Sequence, residues 1–196
     1  MQTLKKLTDN ELVRAYVNGN NQAFDMLLQR YQGKVYSYIL HIVKNKDVAD
    51  DIFQETFVKI IMTLRQGRYT DTGKFAAWLN RIAHNLIIDY YRQEKSENSV
   101  SIDNDDVDML NRRGLCEANI EDLMVDIQIR DDVRRIIDAL PLPQREVLVM
   151  RYYNDMSFKE IAESTGVSIN TALGRMRYAI LNMRRIASEN NIVLTA

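Results

Sequence analysis

Apolar residues recur at three- and four-residue spacing through most of the chain, and the breaks in that period divide it into helices. Thr8 and Glu11 have the spacing of a capping box for a short first helix that stops at Asn18-Gly19-Asn20. Phe24, Leu27, Leu28, Tyr31, Val35, Tyr38, Ile39 and Ile42 then form one stripe of a long amphipathic helix, ended by Asn45-Lys46-Asp47. Asp47 is the expected cap of a third helix, with Asp50 and Asp51 near its positive end and Val48, Ile52, Phe53, Phe57, Ile60, Ile61 and Leu64 on its buried side. A polar loop, Gln66 to Gly73, precedes a fourth helix from about Lys74. That helix carries Phe75, Trp78, Leu79, Ile82, Ala83, Leu86 and Ile87 on one side and Arg81, His84, Asn85, Asp89, Arg92 and Lys95 on the other. The four helices predict a bundle over residues 1–95.

The pattern changes at residues 96–126. Nine acids from Glu97 to Asp126 are balanced only by Arg112 and Arg113, and no apolar period is sustained, which predicts a flexible acidic linker. Two roles are open for it: a solvated tether, or an acidic strand that occupies a site built for nucleic acid. Helical spacing resumes in a second domain, residues 127–196. Ile127, Ile129, Val133, Ile136, Ile137 and Leu140 mark one helix stopped by Pro141 and Pro143, and Val147, Leu148, Met150 and Tyr152 mark the next. Ser157 to Met183 then reads as a helix-turn-helix. Ser157 and Glu160 make a capping box, Ala162 sits at the helix crossing, Gly166 turns the corner, Val167 plugs it and Ser168 caps the second helix. Thr171, Arg175, Arg177 and Tyr178 fall on or near the outer side of that helix, where a major groove can meet them. The fold class is therefore all-α: two small helical domains joined by a linker.

Composition narrows the function. With 26 basic and 27 acidic side chains the net charge is −1, which argues against a free-standing, non-specific DNA binder, because such proteins rely on a basic excess for phosphate affinity. One cysteine, Cys116, excludes an internal disulfide framework, and the two histidines, His41 and His84, have no partners at ligand spacing, so neither metal nor cofactor is expected. The apolar runs are too short for a membrane span and the first residues lack a secretory signal, which points to the cytoplasm. An enzyme is disfavoured by the lack of a Gly-rich phosphate loop or a nucleophile–base arrangement. An independent dimeric regulator would need a pairing seam, and no heptad repeat supplies one.

Two further faces carry chemistry. Asp50, Asp51, Gln54 and Glu55 lie within about a turn and a half of helix, so several share a polar side that either serves capping and solvation or meets another protein's arginines. Asn85 and Asp89 stand one turn apart among Arg81, His84 and Arg92. An amide gives and accepts hydrogen bonds with a base edge, a carboxylate accepts from an exocyclic amine, and cations hold the backbone. Trp78 among Phe75, Leu79 and Ile82 reads as core rather than a stacking platform.

Taken in order, VADDIFQETFVKI (Val48 to Ile60), FAAWLNRIAHNLIIDYYRQEK (Phe75 to Lys95) and LPLPQREVLVMRYYNDMSFKEIAESTGVSINTALGRMRYA (Leu140 to Ala179) resemble the polymerase-binding helix, the −10 helix and the −35 domain of the extracytoplasmic-function sigma factors of bacterial RNA polymerase. The resemblance covers nearly the whole chain. It implies a non-catalytic subunit that binds core polymerase at the β′ clamp coiled coil and the β flap, and directs it to promoter DNA. It places Asp51, Gln54 and Glu55 on the docking helix and Arg81, His84, Asn85, Asp89 and Arg92 on the −10 helix. The loop Arg68 to Lys74 joins them in holding the melted strand, with one base taken into a pocket. Ser168, Thr171, Arg175, Arg177 and Tyr178 become the −35 candidates. An anti-sigma factor, often membrane-anchored, is the implied inhibitor. The second helix departs from the family's pattern at Ala172, Leu173, Gly174 and Tyr178, where basic residues are common, so its −35 preference does not carry over from better-known members.

Overall fold

A computed structural model describes residues 4–70, 73–97, 131–190 and 192. The segment 98–130, with Cys116, Ile127, Ile129 and most of the acidic stretch, lies outside the described residues, as do two positions of the loop before the fourth helix. A 3-10 turn (Leu4–Lys6) leads into α1 (Asp9–Val17), α2 (Asn21–Val43), α3 (Lys46–Arg65) and α4 (Phe75–Glu97). Helical residues 131–138 (α5), α6 (Leu142–Tyr152), α7 (Phe158–Thr165) and α8 (Ile169–Glu189) follow. α4 thus runs two residues into the segment read as linker, and no described residue is in a strand. No helix among the described residues is long and apolar enough to cross a membrane.

Local chemistry sets the helix starts. The Thr8 and Ser157 hydroxyls accept from the backbone N–H groups of Glu11 and Glu160, while each glutamate accepts in return from its cap's own N–H, at 2.7 Å and 2.9 Å. Arg30 secures the first turn by donating to Asp9 and to the carbonyls of Lys5 and Leu7. α3 corrects the expected cap. Asn45, not Asp47, accepts from the N–H groups of Asp47 (3.0 Å) and Val48 (3.3 Å), because Lys44 takes the left-handed conformation (φ 59°) and turns the chain one step earlier. Asp47 falls in the first turn, where its charge still complements the helix N-terminus. Gly166 closes α7 at φ 68°, a region that disfavours residues with a Cβ, and Ser168 caps α8.

The stripes read from the sequence meet in one buried cluster. Leu12, Leu27, Ile39, Ile60, Leu64 and Leu79 are almost fully enclosed in the first domain, and Ile136, Leu140, Val147, Met150 and Ile161 in the second. Each such side chain contributes roughly 1.5–3 kcal/mol by leaving water. Tyr152 departs from its expected burial: it is 67% exposed, because the apolar period carries past the point where α6 leaves the core. Trp78 packs as expected, against Tyr69 (ring centroids 4.6 Å apart) and Phe75 (5.6 Å), and this aromatic group ties the loop before α4 to the bundle.

The domains do not stand apart. α2 and α4 pack on α6 and α7, so the first bundle presents its last helix to the second domain. Lys34 pairs with Asp155 at 2.6 Å, Lys44 donates to the Asp138 carbonyl at 2.6 Å, and Asn154 donates to Asn80 at 3.0 Å.

Candidate nucleic-acid interface

Anchored by Phe75, Leu79, Ala83 and Ile87, α4 turns Arg81, Asn85, Asp89 and Arg92 outward along one stripe, all four exposed. Of the five −10 candidates these four stay together. Asp89 and Arg92 make only a 3.5 Å contact on the surface, which leaves both side chains available to a ligand.

His84 is a correction. Read as part of the outer side, it is 7% exposed and meets the second domain: its Nδ1 lies 2.6 Å from Glu146 Oε1 on α6. The imidazole and the carboxylate thus lie within ion-pair range in a site closed to water. Tyr38 Oη lies 3.3 Å from the same nitrogen and donates to Glu146 at 3.2 Å. Burial, and then the Glu146 charge, hold the Tyr38 hydroxyl protonated well above its ordinary range. Tyr38 and His84 come from the first domain and Glu146 from the second, so the buried trio bridges them. Next to Glu146, Arg145 donates to the carbonyls of Ile137, Asp138 and Leu140 and, at 3.3 Å, to His41 of α2; burial pulls its guanidinium below its usual range.

This packing creates a cleft of about 680 Å³ between the domains. Arg81, His84, Asn85, Asp89 and Arg92 line one wall; Leu142, Pro143 and Glu146 of α6, the α7 end from Glu163 to Gly166, and Arg175 of α8 line the other. Arg175, read from the sequence as facing outward, is half-buried and looks into the cleft, beside the −10 candidates.

The other −35 candidates lie on the free side of α8. The Ser168 hydroxyl accepts from the Thr171 N–H at 3.0 Å and lies 2.8 Å from the Thr171 hydroxyl, so the capping role read from the sequence occupies both side chains. Arg177 and Tyr178 are exposed. Ala172, Met176 and Ala179 are buried against the rest of the domain and fix which face of α8 looks out.

On α3, Asp51, Gln54 and Glu55 are exposed on one face, with Glu55 paired to Lys59 at 3.1 Å. Two residues that the sequence reading missed extend this face: Val58 (52% exposed) and Met62 (55%) continue it at helical spacing. Their signal was present as apolar residues off the buried stripe, since Ile52, Ile60 and Leu64 already fill the core side.

Residues 27–97 match the family model of sigma-70 region 2, and residues 130–175 that of sigma-70 region 4. The ECF RNA polymerase sigma-E factor of Salmonella typhimurium (strain LT2) is 31% identical over 175 residues, covering 88% of this chain and 90% of that protein. Its namesake in Escherichia coli K12 is equally similar, and the sigma factor SigW of Bacillus subtilis is 26% identical over 84% of this chain and 88% of that protein. Among solved structures, CnrH in complex with the cytosolic domain of CnrY superposes with a TM-score of 0.64 at 24% identity, over 92% of this chain and 97% of that one. The sigma factor RpoE of Bartonella quintana, solved with the anti-sigma factor NepR, gives 0.64 at 20% identity, over 84% and 96%. These two likenesses are of fold.

Proposed function

Because the chain belongs to the extracytoplasmic-function sigma factors, which direct RNA polymerase to promoters, we propose that its three exposed faces divide that task. Asp51, Gln54 and Glu55, extended by Val58 and Met62, dock on core polymerase at the β′ clamp coiled coil. Arg81, Asn85, Asp89 and Arg92, with the loop Arg68 to Lys74, hold the unstacked −10 strand. The outer side of α8, with Arg177 and Tyr178, meets the −35 duplex. Ser168 and Thr171 shape the N-terminus of that helix, and Arg175 belongs to the cleft rather than to the duplex-facing side. His84 acts through the domain contact rather than by touching a base.

The observation that carries this reading is the contrast between two polar stripes on packed helices. The α3 stripe is acidic and ends in apolar side chains, a composition suited to a basic protein surface. The α4 stripe mixes two arginines with an amide and a carboxylate, a composition suited to phosphates and base edges. Polymerase supplies the positive field that a chain of net charge −1 lacks. An anti-sigma factor that covered the α3 stripe would hold the protein inactive.

The test is charge reversal of Asp51 and Glu55 to lysine. Holoenzyme assembly with core polymerase should be lost, while helix content is kept and unfolding shifts by only about 0.5 kcal/mol, the scale of exposed charges and one surface pair. Assembly at wild-type affinity, or unfolding of the variant, would return these residues to a solvating and capping role.

A further inference from the structure

The outer face of α8 carries apolar side chains that the fold does not use. Ile169 is 46% exposed and Leu173, one turn on, 43%, and neither packs against the buried cluster as their neighbours Val167 and Met183 do. Ala172, Met176 and Ala179 already bury the helix and Leu173 lies outside that set, so a polar residue at 173 would leave packing intact. Ile169 and Leu173 are the exposed aliphatic groups of the N-terminal half of α8, as Ile180 (36%) and Leu181 (48%) are of its C-terminal half, and leaving such groups in water on the helix that would enter DNA has no internal rationale.

Three observations point to the major groove as what covers them. Ile169 and Leu173 occupy the N-terminal half of the second helix of a helix-turn-helix, the part that approaches base edges. The helix carries Arg175, Arg177, Arg184 and Arg185 against a single acid, Glu189, which pairs with Arg185 at 2.8 Å, so its charge is complementary to phosphate. Gly174, next to Leu173, faces open space: a Cβ there would meet nothing within 4 Å. Glycine inside a helix lowers its stability, and here no neighbour in the chain requires it. The space at Gly174 is open, as expected if an external backbone comes close.

In the major groove the apolar feature of a base is the C5-methyl of thymine. We propose that Leu173, supported by Ile169, reads thymine methyl groups in the −35 element, so that this chain selects by apolar contact where a basic side chain would select by hydrogen bonds. The inference rests on the sigma-factor reading of α8 but adds a base identity to it. The groups it invokes are Leu173 and Ile169, in the half of α8 that approaches base edges, whereas Ile180 and Leu181 lie in the half beyond it; Arg177 positions the helix on phosphate.

The experiment uses reconstituted holoenzyme. Templates randomised over the −35 region are selected for transcription from a defined start site, and each selected −35 thymine is then replaced singly by deoxyuridine, which removes the methyl and keeps the hydrogen-bonding pattern. At one or two positions the wild type should lose about four-fold in promoter occupancy, the equivalent of ~0.8 kcal/mol for one buried methyl-sized group. Leu173→Ala should bind the thymine and uracil templates equally, and Leu173→Met, which keeps apolar reach, should restore part of the difference. The proposal is overturned if no selected thymine responds to uracil, or if Leu173→Ala keeps the wild-type ratio. Weakened holoenzyme assembly by Leu173→Ala with an unchanged thymine-to-uracil ratio would also overturn it and assign the face to a protein partner. Failure of the wild type to start transcription at any defined site would instead sink the reading on which the proposal rests.

Discussion

The two helices proposed to meet DNA, α4 and α8, differ in chemistry and in cover. α4 exposes Arg81, Asn85, Asp89 and Arg92 with no large apolar side chain among them, and that stripe faces the second domain across the cleft. α8 exposes Ile169, Leu173, Arg177 and Tyr178 on a side outside the cleft lining. An unstacked base offers its hydrogen-bonding edge, and amides and carboxylates suit it; a closed duplex offers methyl groups and phosphates, and aliphatic and guanidinium groups suit those. On that proposal, duplex contact by the Arg177–Tyr178 side of α8 leaves the closed arrangement as it is, whereas a strand captured by α4 has to enter the cleft and gains from its widening. The position of His84 gives that proposal a physical link: it sits on α4, yet its partner Glu146 belongs to the second domain.

The largest effect expected follows from that bridge. Glu146→Ala strips the acceptor from Tyr38 and the ion-pair partner from His84 in a site that is almost fully buried, and loss of one partner of such a pair costs about 3–5 kcal/mol. Most of that cost falls on the domain contact, so the free variant should show a larger radius of gyration by small-angle scattering and faster amide exchange along α4. A single-stranded −10 oligonucleotide should bind the variant more tightly than the wild type, while −35 duplex binding stays the same. Equal changes at both sites, or none at either, would remove the distinction between a covered and an uncovered reader.

What was legible in the sequence was local. Capping boxes at Thr8–Glu11 and Ser157–Glu160, the Gly166 corner and the buried stripes depend on residues three or four apart, and the structure has them. Asn45 against Asp47 was a choice between two competent caps, decided by the left-handed Lys44, which no period announces. His84 and Arg175 were misplaced for a different reason. Helical spacing puts both on polar sides, but burial of a polar side is decided by what packs on it, and here that is another domain. Val58 and Met62 were passed over because an apolar residue off the main stripe has no partner within its own helix to give it meaning.

An intermediate effect is expected at the proposed base-reading positions of α4. Asn85→Ala and Asp89→Ala should each cost on the order of 1–3 kcal/mol per lost base contact and relax preference at particular −10 positions. A template mismatched over the −10 region removes the melting cost but keeps the contact, so transcription should recover there while altered bases remain tolerated. If both variants discriminate −10 bases as the wild type does on that template, capture belongs to the loop from Arg68 to Lys74, and the stripe on α4 is a solvated surface.

The smallest effect sharpens the comparison most, because stability and function should move in opposite directions. Gly174 has no left-handed φ to require it and open space where its Cβ would be, so within the protein alone alanine is the better residue by about 1 kcal/mol. Gly174→Ala should therefore raise the melting temperature by about 2–4 °C in a chain of this size. In the holoenzyme the added methyl would occupy the space beside Leu173 that is proposed to receive the DNA backbone, so transcription from −35-dependent promoters should fall, while templates that start without a −35 element are unaffected. No corresponding trade exists on α4, whose exposed stripe contains no glycine. A variant that melts higher and still uses the −35 element normally would mean that α8 does not approach the duplex closely at this turn. A variant that melts no higher would mean that the glycine serves the helix itself.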